Sequence, residues 1–168
     1  MKFTEKFVEN ALNYAEHAIS MSELHNLCSR VYKNLVKKYG EFSVRRGVAN
    51  ESDSETNNVL TLLVEVGSLK YMQDKQIIAT DESELLKRSF AVSFCINIAL
   101  ADVLRQNIGF KKSEMGGYFN NDASEKLAER VFNHHKNFIK LKSQPKHIQD
   151  ENFTIDEMFK AYLGEFFV

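Results

Sequence analysis

The chain has 168 residues, of which 43% are hydrophobic and 27% are charged, and its formal net charge is −1. This length suits one domain with one core, and the composition is that of a globular protein rather than a disordered chain. A net charge this close to zero excludes a field over the whole molecule that would attract nucleic acid or an anionic membrane, so any such binding has to be local.

Residues 4–39 carry a helical spacing of apolar side chains that shifts its phase near Ser20. Thr4 is of a type that caps helices, and Gly40 is of a type that ends them. The tetrad Ser20-Met-Ser-Glu23 matches a capping box, in which the two side chains satisfy free backbone N–H groups at a helix start. The stretch is therefore either one kinked helix or two helices that break near residue 21, and the capping box favours the break.

Between Gly40 and Asp53 the apolar periodicity fails, so this segment is predicted to be a loop. A second capping box, Ser52-Asp-Ser-Glu55, then precedes a long apolar run. The run is too long for an ordinary strand and contains no hairpin turn. It predicts a helix from Glu55 to Gln73.

The stretch over residues 85–108 is apolar on almost every side of a helical wheel. A helix of that kind has to be buried, so it is expected to be the central helix of a bundle, over about 81–107. Asp81-Glu-Ser-Glu84 is its predicted cap, and Gly109 lies just after its end. Because Asn97 and Asp102 interrupt the apolar run, we expect it to be too short and too polar to span a bilayer, and no membrane is predicted as a partner.

The C-terminal part of the chain predicts a loop, two helices and a docked tail. Residues 109–122 have the glycine and lysine content of a loop, Asp122 caps a helix, and Pro145 closes that helix. Thr154-Ile-Asp-Glu157 opens a short terminal helix. The aromatic tail that ends at Val168 would be costly to leave in water, so it is expected to dock on the core.

Together these elements predict an all-α fold, a single domain over residues 1–168 built as a bundle of five or six helices around the central helix. Cys28 and Cys95 lie on apolar helical stretches without a neighbouring metal-ligand pattern, so both are expected to be buried, reduced thiols. The N-terminus has no apolar stretch of the secretory kind, and a cytoplasmic location is expected. The core is predicted to include Leu24, Val31, Leu62, Val66, Phe94, Ile98, Leu104, Val131 and Phe138.

Two carboxylates, Glu65 and Asp102, lie within otherwise apolar helical faces. A buried carboxylate usually has a partner or a raised pKa, so both are candidate functional residues and also candidate members of structural ion pairs. The structural alternative pairs Glu65 with Lys70, and Asp102 with Arg105 or Arg130.

Residues 59–69, Val-Leu-Thr-Leu-Leu-Val-Glu-Val-Gly-Ser-Leu, resemble the first metal-binding helix of the MazG-like nucleotide pyrophosphohydrolases, and residues 100–109 resemble a later helix of that family. The resemblance implies an all-helical magnesium enzyme with Glu65 and Asp102 among its acidic residues. Glu65 matches the first acid of the Glu-x-x-Glu pattern, but Ser68 stands in place of the second. Too few carboxylates remain to hold the magnesium ion. The resemblance is therefore to a degenerate member of the MazG-like family.

The segment Arg130-Val-Phe-Asn-His-His135 contains an Arg-x4-His pattern that resembles the motif of the HEPN ribonucleases. The resemblance implies a helical nuclease in which His135 moves a proton and Arg130 holds a phosphate across a dimer. Val131 stands where that family favours a polar residue. The sequence has neither a Glu-x-x-His nor a His-x-x-x-His spacing and no phosphate-cradling loop, so no metal and no cofactor are predicted.

Residues 126–147 carry a local excess of basic side chains, whereas residues 51–84 are acidic. A basic face of this kind is able to bind an acidic protein or a phosphate backbone. Opposed patches on a nearly neutral molecule favour a charged protein partner or head-to-tail contacts between copies, with nucleic acid and a homodimer as further alternatives. The candidate partner-binding residues are Lys126, Arg130, His134, Lys136, Lys140 and Lys142.

The leading functional hypothesis is a small intracellular, non-enzymatic binding protein of the immunity, antitoxin or inhibitor type, which acts on a macromolecular partner through charged helical faces. The alternative is an enzyme that acts on phosphate esters. It would be either a HEPN-like ribonuclease that uses Arg130 and His135 without a metal, or a degenerate MazG-like pyrophosphohydrolase that uses Glu65 and Asp102 with magnesium.

Overall fold

A computed structural model describes residues 5–49, 55–77, 81–109 and 155–167 of the chain. The regular secondary structure of these residues is helical throughout and contains no strand, so the predicted all-α class is confirmed. The single domain over residues 1–168 stays a prediction. The described elements are α1 (Glu5–Ala18), α2 (Met21–Tyr39), α3 (Glu41–Ala49), α4 (Glu55–Asp74), α5 (Glu82–Ile108), α6 (Ile155–Leu163) and a final 3-10 turn (Gly164–Phe167).

Helix α5 is the central element, as its all-round apolar sequence predicts. It packs against α1, α2 and α4. The Asp81 carboxylate accepts a hydrogen bond from the backbone N–H of Glu84 at 2.8 Å, and Gly109 ends the helix in the left-handed conformation with φ 68°. The predicted cap and the predicted stop are both confirmed.

By length and composition alone, Ser83–Ile108 passes as a helix able to cross a membrane, contrary to the expectation from its polar residues. However, 78% of the window that meets this criterion is buried inside the protein. The core helix of a soluble protein meets the same criterion, and α5 is covered by three other helices.

The N-terminal stretch forms two helices rather than one. Helix α1 ends at Ala18 and α2 begins at Met21, with Ser20 between them. The Ser20 hydroxyl accepts a hydrogen bond from the N–H of Glu23 at 3.4 Å, so the favoured break and its cap are confirmed. In a capping box the side chain of Glu23 would accept a hydrogen bond from the N–H of Ser20. Here that N–H donates instead to the hydroxyl of Tyr71 on α4 at 3.1 Å.

The predicted loop between Gly40 and Asp53 is wrong over residues 41–49, which form α3. The buried residues of this helix are Val44, Gly47 and Val48, which repeat at the spacing of one helical turn. A nine-residue helix with a glycine inside it offers too few repeats for the apolar period to stand out in the sequence.

Side chains of α4 hold α3 in place. The Thr56 hydroxyl donates to the backbone oxygen of Ser43 at 2.9 Å, and the Asn57 side-chain amide donates to the backbone oxygen of Gly47 at 2.8 Å. A helix this short is marginal by itself, so these tertiary contacts account for α3 better than its local sequence does.

The C-terminal segment docks on the bundle, as its aromatic residues predict. Helix α6 packs against α4, and Phe166 of the 3-10 turn is 2% exposed. The Asn34 side-chain amide of α2 donates to the backbone oxygen of Phe166 at 2.7 Å. The Lys38 ammonium binds the Glu165 carboxylate at 2.9 Å. Helix α2 therefore holds this end of the chain against the core.

Most of the described residues that were expected in the core are buried. Leu62 and Ile98 are only partly buried and pack against the core from its edge, so the prediction that they belong to the buried core is wrong. An apolar helix without a strong period does not separate centre from edge by sequence. Val131 and Phe138 lie outside the described residues. The buried members of the predicted set are Leu24, Val31, Val66, Phe94 and Leu104.

Both thiols are free and buried, as predicted. Burial raises the pKa of Cys28 to about 12 and the pKa of Cys95 to about 11. The Cys28 thiol lies 3.8 Å from the backbone oxygen of Ile96 on α5, where it acts as a weak donor. At neutral pH both sulfurs are protonated and shielded, which is the state of structural rather than reactive cysteines.

Candidate functional site

Several of the candidate site residues lie outside the described residues. They are Lys126, Arg130, His134, Lys136, Lys140 and Lys142 of the proposed partner-binding set, together with His135 of the ribonuclease pair. The Arg-x4-His pairing and the basic face over 126–147 therefore stay predictions. The described candidates are Glu65 and Asp102.

Glu65 lies in the middle of α4 and is 7% exposed. Ser68, which replaces the second acid of the MazG-like pattern, donates its hydroxyl to the backbone oxygen of Glu65 at 2.8 Å. Lys70, the expected partner of Glu65, instead binds Asp74 at 2.8 Å and Asp156 of α6 at 2.7 Å. Its hydrogen bond to Asp156 is the largest cause that raises the pKa of Lys70. The expected pairing of Glu65 with Lys70 is therefore wrong, and Lys70 joins α4 to α6.

Asp102 lies in a cluster of charged side chains between α2 and α5. It accepts a hydrogen bond from Arg105, so the expected structural ion pair is confirmed. Its second carboxylate oxygen lies 3.5 Å from Nε2 of His25 on α2. No signal in the sequence indicates His25, because its place beside Asp102 depends on how α2 crosses α5.

The cluster of His25, Asp102 and Arg105 contains the residue types of an acid–base site, since a carboxylate orients an imidazole and a guanidinium holds an anion. The three side chains are 34%, 31% and 35% exposed. Asp102 shares its charge between Arg105 one turn later and His25 across the helix contact. This arrangement is an ion-pair network that joins two helices, and such partly exposed pairs contribute little to stability.

Among the residues that the structure describes, no group of three or more His, Cys, Asp or Glu side chains is placed to hold a metal ion. Glu65 is buried within α4, and Asp102 binds Arg105 and His25. These residues therefore supply no magnesium site of the MazG-like kind within the described ranges.

The outward side of α2 carries a row of exposed basic residues, Arg30, Lys33 and Lys37, which we call the basic stripe. At the helical period their spacing places them within an arc of about 60°, on the side opposite to the buried Leu24 and Cys28. None of the three forms an ion pair with a described residue. Like charges one turn apart repel weakly. Within the described part of the chain, the stripe is therefore a local run of positive charge on α2 that no ion pair neutralises.

Other lysines of the bundle do have acidic partners. The Lys38 ammonium binds Glu165, and the Lys75 ammonium binds Glu23 at 2.7 Å. In both cases the side-chain hydrogen bond to the carboxylate is the largest cause that raises the pKa of the lysine. Lysines of this surface therefore do form ion pairs within the described part of the chain, whereas the three members of the basic stripe do not.

The end of the basic stripe is followed by an exposed aromatic residue. Phe42 of α3 is 71% exposed, and the guanidinium carbon of Arg46 lies 5.9 Å from the centre of its ring. The neighbouring Arg45 is also exposed and donates a hydrogen bond to the backbone oxygen of Ile108, at the end of α5. Phe42 and Arg46 thus form an outward pair of the two residue types that protein interfaces favour.

A surface cavity of 310 Å³ adjoins the stripe at the C-terminal end of α2. It is lined by Asn34, Lys37, Lys38, Glu165 and Phe166. Lys37 is the member that the cavity and the stripe share. The cavity extends the stripe into a recess with one apolar wall, in which a side chain of a partner has room to lie.

No protein-family model matches this chain, and neither a curated protein nor a solved structure shows significant similarity to it.

Proposed function

We propose that this chain is an intracellular, non-enzymatic binding protein of the immunity, antitoxin or inhibitor type, and that it holds an acidic partner protein against α2. The observation that carries the proposal is the basic stripe of Arg30, Lys33 and Lys37, which is exposed and has no ion pair among the described residues. An acidic surface that covers the stripe would neutralise its charge, and the field would speed the encounter.

The exposed pair on α3, the helix that follows α2, favours a protein over a nucleic acid as the partner. Phe42 and Arg46 provide an aromatic and a guanidinium contact, the types that contribute most to protein interfaces. Three aligned cations make few phosphate contacts, and the electrostatic affinity for nucleic acid grows with the number of phosphates that are neutralised. The net charge of −1 adds no wider positive field.

The test is a pull-down from the native host at modest salt with three forms of the full chain. The unchanged protein is expected to recover one protein partner in stoichiometric amount, and the variant Lys33→Glu/Lys37→Glu is expected to lose it. The control Lys6→Glu/Lys160→Glu carries the same change in charge at two exposed lysines outside the stripe and is expected to keep the partner.

Three results would overturn the proposal. The first is equal recovery by the stripe variant and the control. The second is the recovery of no stoichiometric protein by the unchanged chain. The third is capture that nuclease treatment abolishes, which would make the partner a nucleic acid.

A further inference from the structure

Helix α1 carries an outward face of the opposite charge to that of α2. Glu5, Glu9 and Glu16 are exposed and fall within an arc of about 40° at the helical period, and we call them the acidic stripe. The buried residues of the helix, Ala11 and Ala15, belong to its other side. None of the three glutamates forms an ion pair with a described residue.

The two stripes are opposite in charge, and the basic stripe is short enough to lie within the length of the acidic one. The acidic stripe extends over twelve residues from Glu5 to Glu16, about 16 Å of helix, and the basic stripe over eight from Arg30 to Lys37, about 10 Å. Both helices pack on α5, so each presents its stripe away from the same central helix. The charges are not used within the described part of the chain, although other lysines there are paired.

We propose that two copies of this chain associate, with the acidic stripe of one copy against the basic stripe of the other. The contact brings the carboxylates of one stripe to the cations of the other, and reversal of two charges in one stripe replaces their attractions by repulsions. If both stripe-to-stripe contacts form between the same two molecules, the assembly is a closed, symmetric dimer. If the two stripes of one copy bind two different neighbours, the assembly extends as an open chain. The association covers the basic stripe, and it therefore competes with the partner of the proposed function.

Such an interface rests on exposed charges, so it is weak and sensitive to salt. Exposed ion pairs contribute modestly one by one, and three of them together are expected to change the dissociation constant by roughly tenfold to a hundredfold. Screening weakens the contact when the Debye length falls below the size of the interface, as it does between about 0.05 M and about 0.5 M salt.

The test measures the mass of the purified full chain by light scattering at these two salt concentrations. The unchanged protein is expected to exceed its monomer mass of 19.4 kDa at low salt and to return to it at high salt. The variants Lys33→Glu/Lys37→Glu and Glu5→Lys/Glu9→Lys are each expected to stay monomeric alone. Their equimolar mixture is expected to associate again, because each reversed stripe then faces its complement.

The variant Lys160→Glu serves as the control, since it changes an exposed lysine outside both stripes and is expected to associate like the unchanged chain. A monomer at low salt and high concentration would overturn the inference. So would association that survives reversal of either stripe, or a mixture that stays monomeric. The experiment contains no partner, so its failure leaves the pull-down free to succeed.

Discussion

The inner pair of helices, α4 and α5, differs from the outer pair, α1 and α2, in how much of each helix is buried. In α4, thirteen of twenty residues are buried, including the polar Glu65 and Ser68, whereas in α1 two of fourteen are buried. The inner helices therefore have little surface on which to carry a binding site. Each outer helix packs one side against the core and carries charged residues on the other side. Folding is expected to depend on the inner pair and recognition on the outer pair.

Gly67 of α4 lies beside Ile96 of α5, where the inner pair of helices meets. A Cβ added to Gly67 would lie 3.3 Å from the side chain of Leu63 on the same helix, which is tight, and 3.9 Å from that of Ile96, which is ordinary van der Waals contact. Glycine inside a helix is unfavourable by about 1 kcal/mol relative to alanine. Ile96 is therefore a buried side chain at the contact of the two inner helices.

The largest effect is expected from truncation at the centre of α5. Replacing Ile96, which is 0% exposed, by alanine should lower the free energy of unfolding by about 2–5 kcal/mol, because it leaves a cavity beside Gly67. Ile98→Ala is the matched control, since it makes the same change two residues away at a partly buried position. It should cost less than half as much. Urea denaturation measures both, and equal losses would show that edge and centre are packed alike.

The second prediction uses the pH dependence of stability that the two buried thiols cause, Cys28 on the outer helix α2 and Cys95 on the inner helix α5. The folded-state pKa of each thiol is raised above its unfolded value near 9, so the thiols' contribution to stability is complete below pH 9 and is lost as the pH rises towards 11 and 12. For Cys28 and Cys95 together, the loss by pH 10 is about 3 kcal/mol.

The measurement is a series of urea denaturations between pH 8 and pH 10. The variant Cys28→Ala/Cys95→Ala should keep only a small slope over this range, because the raised pKa values of Tyr14 and Tyr32 lower stability in the same direction near pH 10. The raised pKa values of Lys38, Lys70 and Lys75 act in that direction only above about pH 10.5, outside the window. A double variant that keeps the full slope of the unchanged protein would show that the thiols do not cause it.

Strong local signals in the sequence predict the inner part of the fold. The all-round apolar run and the cap at Asp81 are enough to place α5 within one residue at each end. The break at Ser20 is predicted for the same reason, because a cap is a contact between residues three apart. The short helix α3 has no such local signal, because the hydrogen bonds that hold it come from Thr56 and Asn57 of α4.

Sequence alone does not predict the surface in the same way. The spacing of Arg30, Lys33 and Lys37 is visible in the sequence. Lys38 and Lys75 look no different there, yet they bind carboxylates that lie far along the chain or on another helix. Whether a lysine is paired depends on which helices meet. His25 illustrates the same limit, since it reaches Asp102 across seventy-seven positions of sequence.

The third prediction compares the caps of an inner and an outer helix. Asp81→Ala should cost about 1 kcal/mol, because it removes a hydrogen bond of 2.8 Å to the N–H of Glu84. Ser20→Ala should cost less, because its bond to the N–H of Glu23 is 3.4 Å long and the N–H of Ser20 keeps its own bond to Tyr71. Urea denaturation of the two variants side by side gives the order, and a larger loss for Ser20→Ala would reverse the ranking of inner and outer helices.

The smallest effect on stability is expected from Lys33→Glu in the basic stripe, within about 0.5 kcal/mol. Lys33 and Lys37 are four residues apart and repel each other, whereas a glutamate placed before a lysine at this spacing attracts it, so the change should even stabilise α2 slightly. Lys33→Ala, which removes the repulsion without adding attraction, should fall between the two in thermal denaturation. A loss above about 1 kcal/mol would mean that Lys33 supports the fold. Loss of binding in the stripe variant could then reflect a destabilised fold rather than a lost contact. The assignment of recognition to the outer helices and of folding to the inner helices would be wrong for α2.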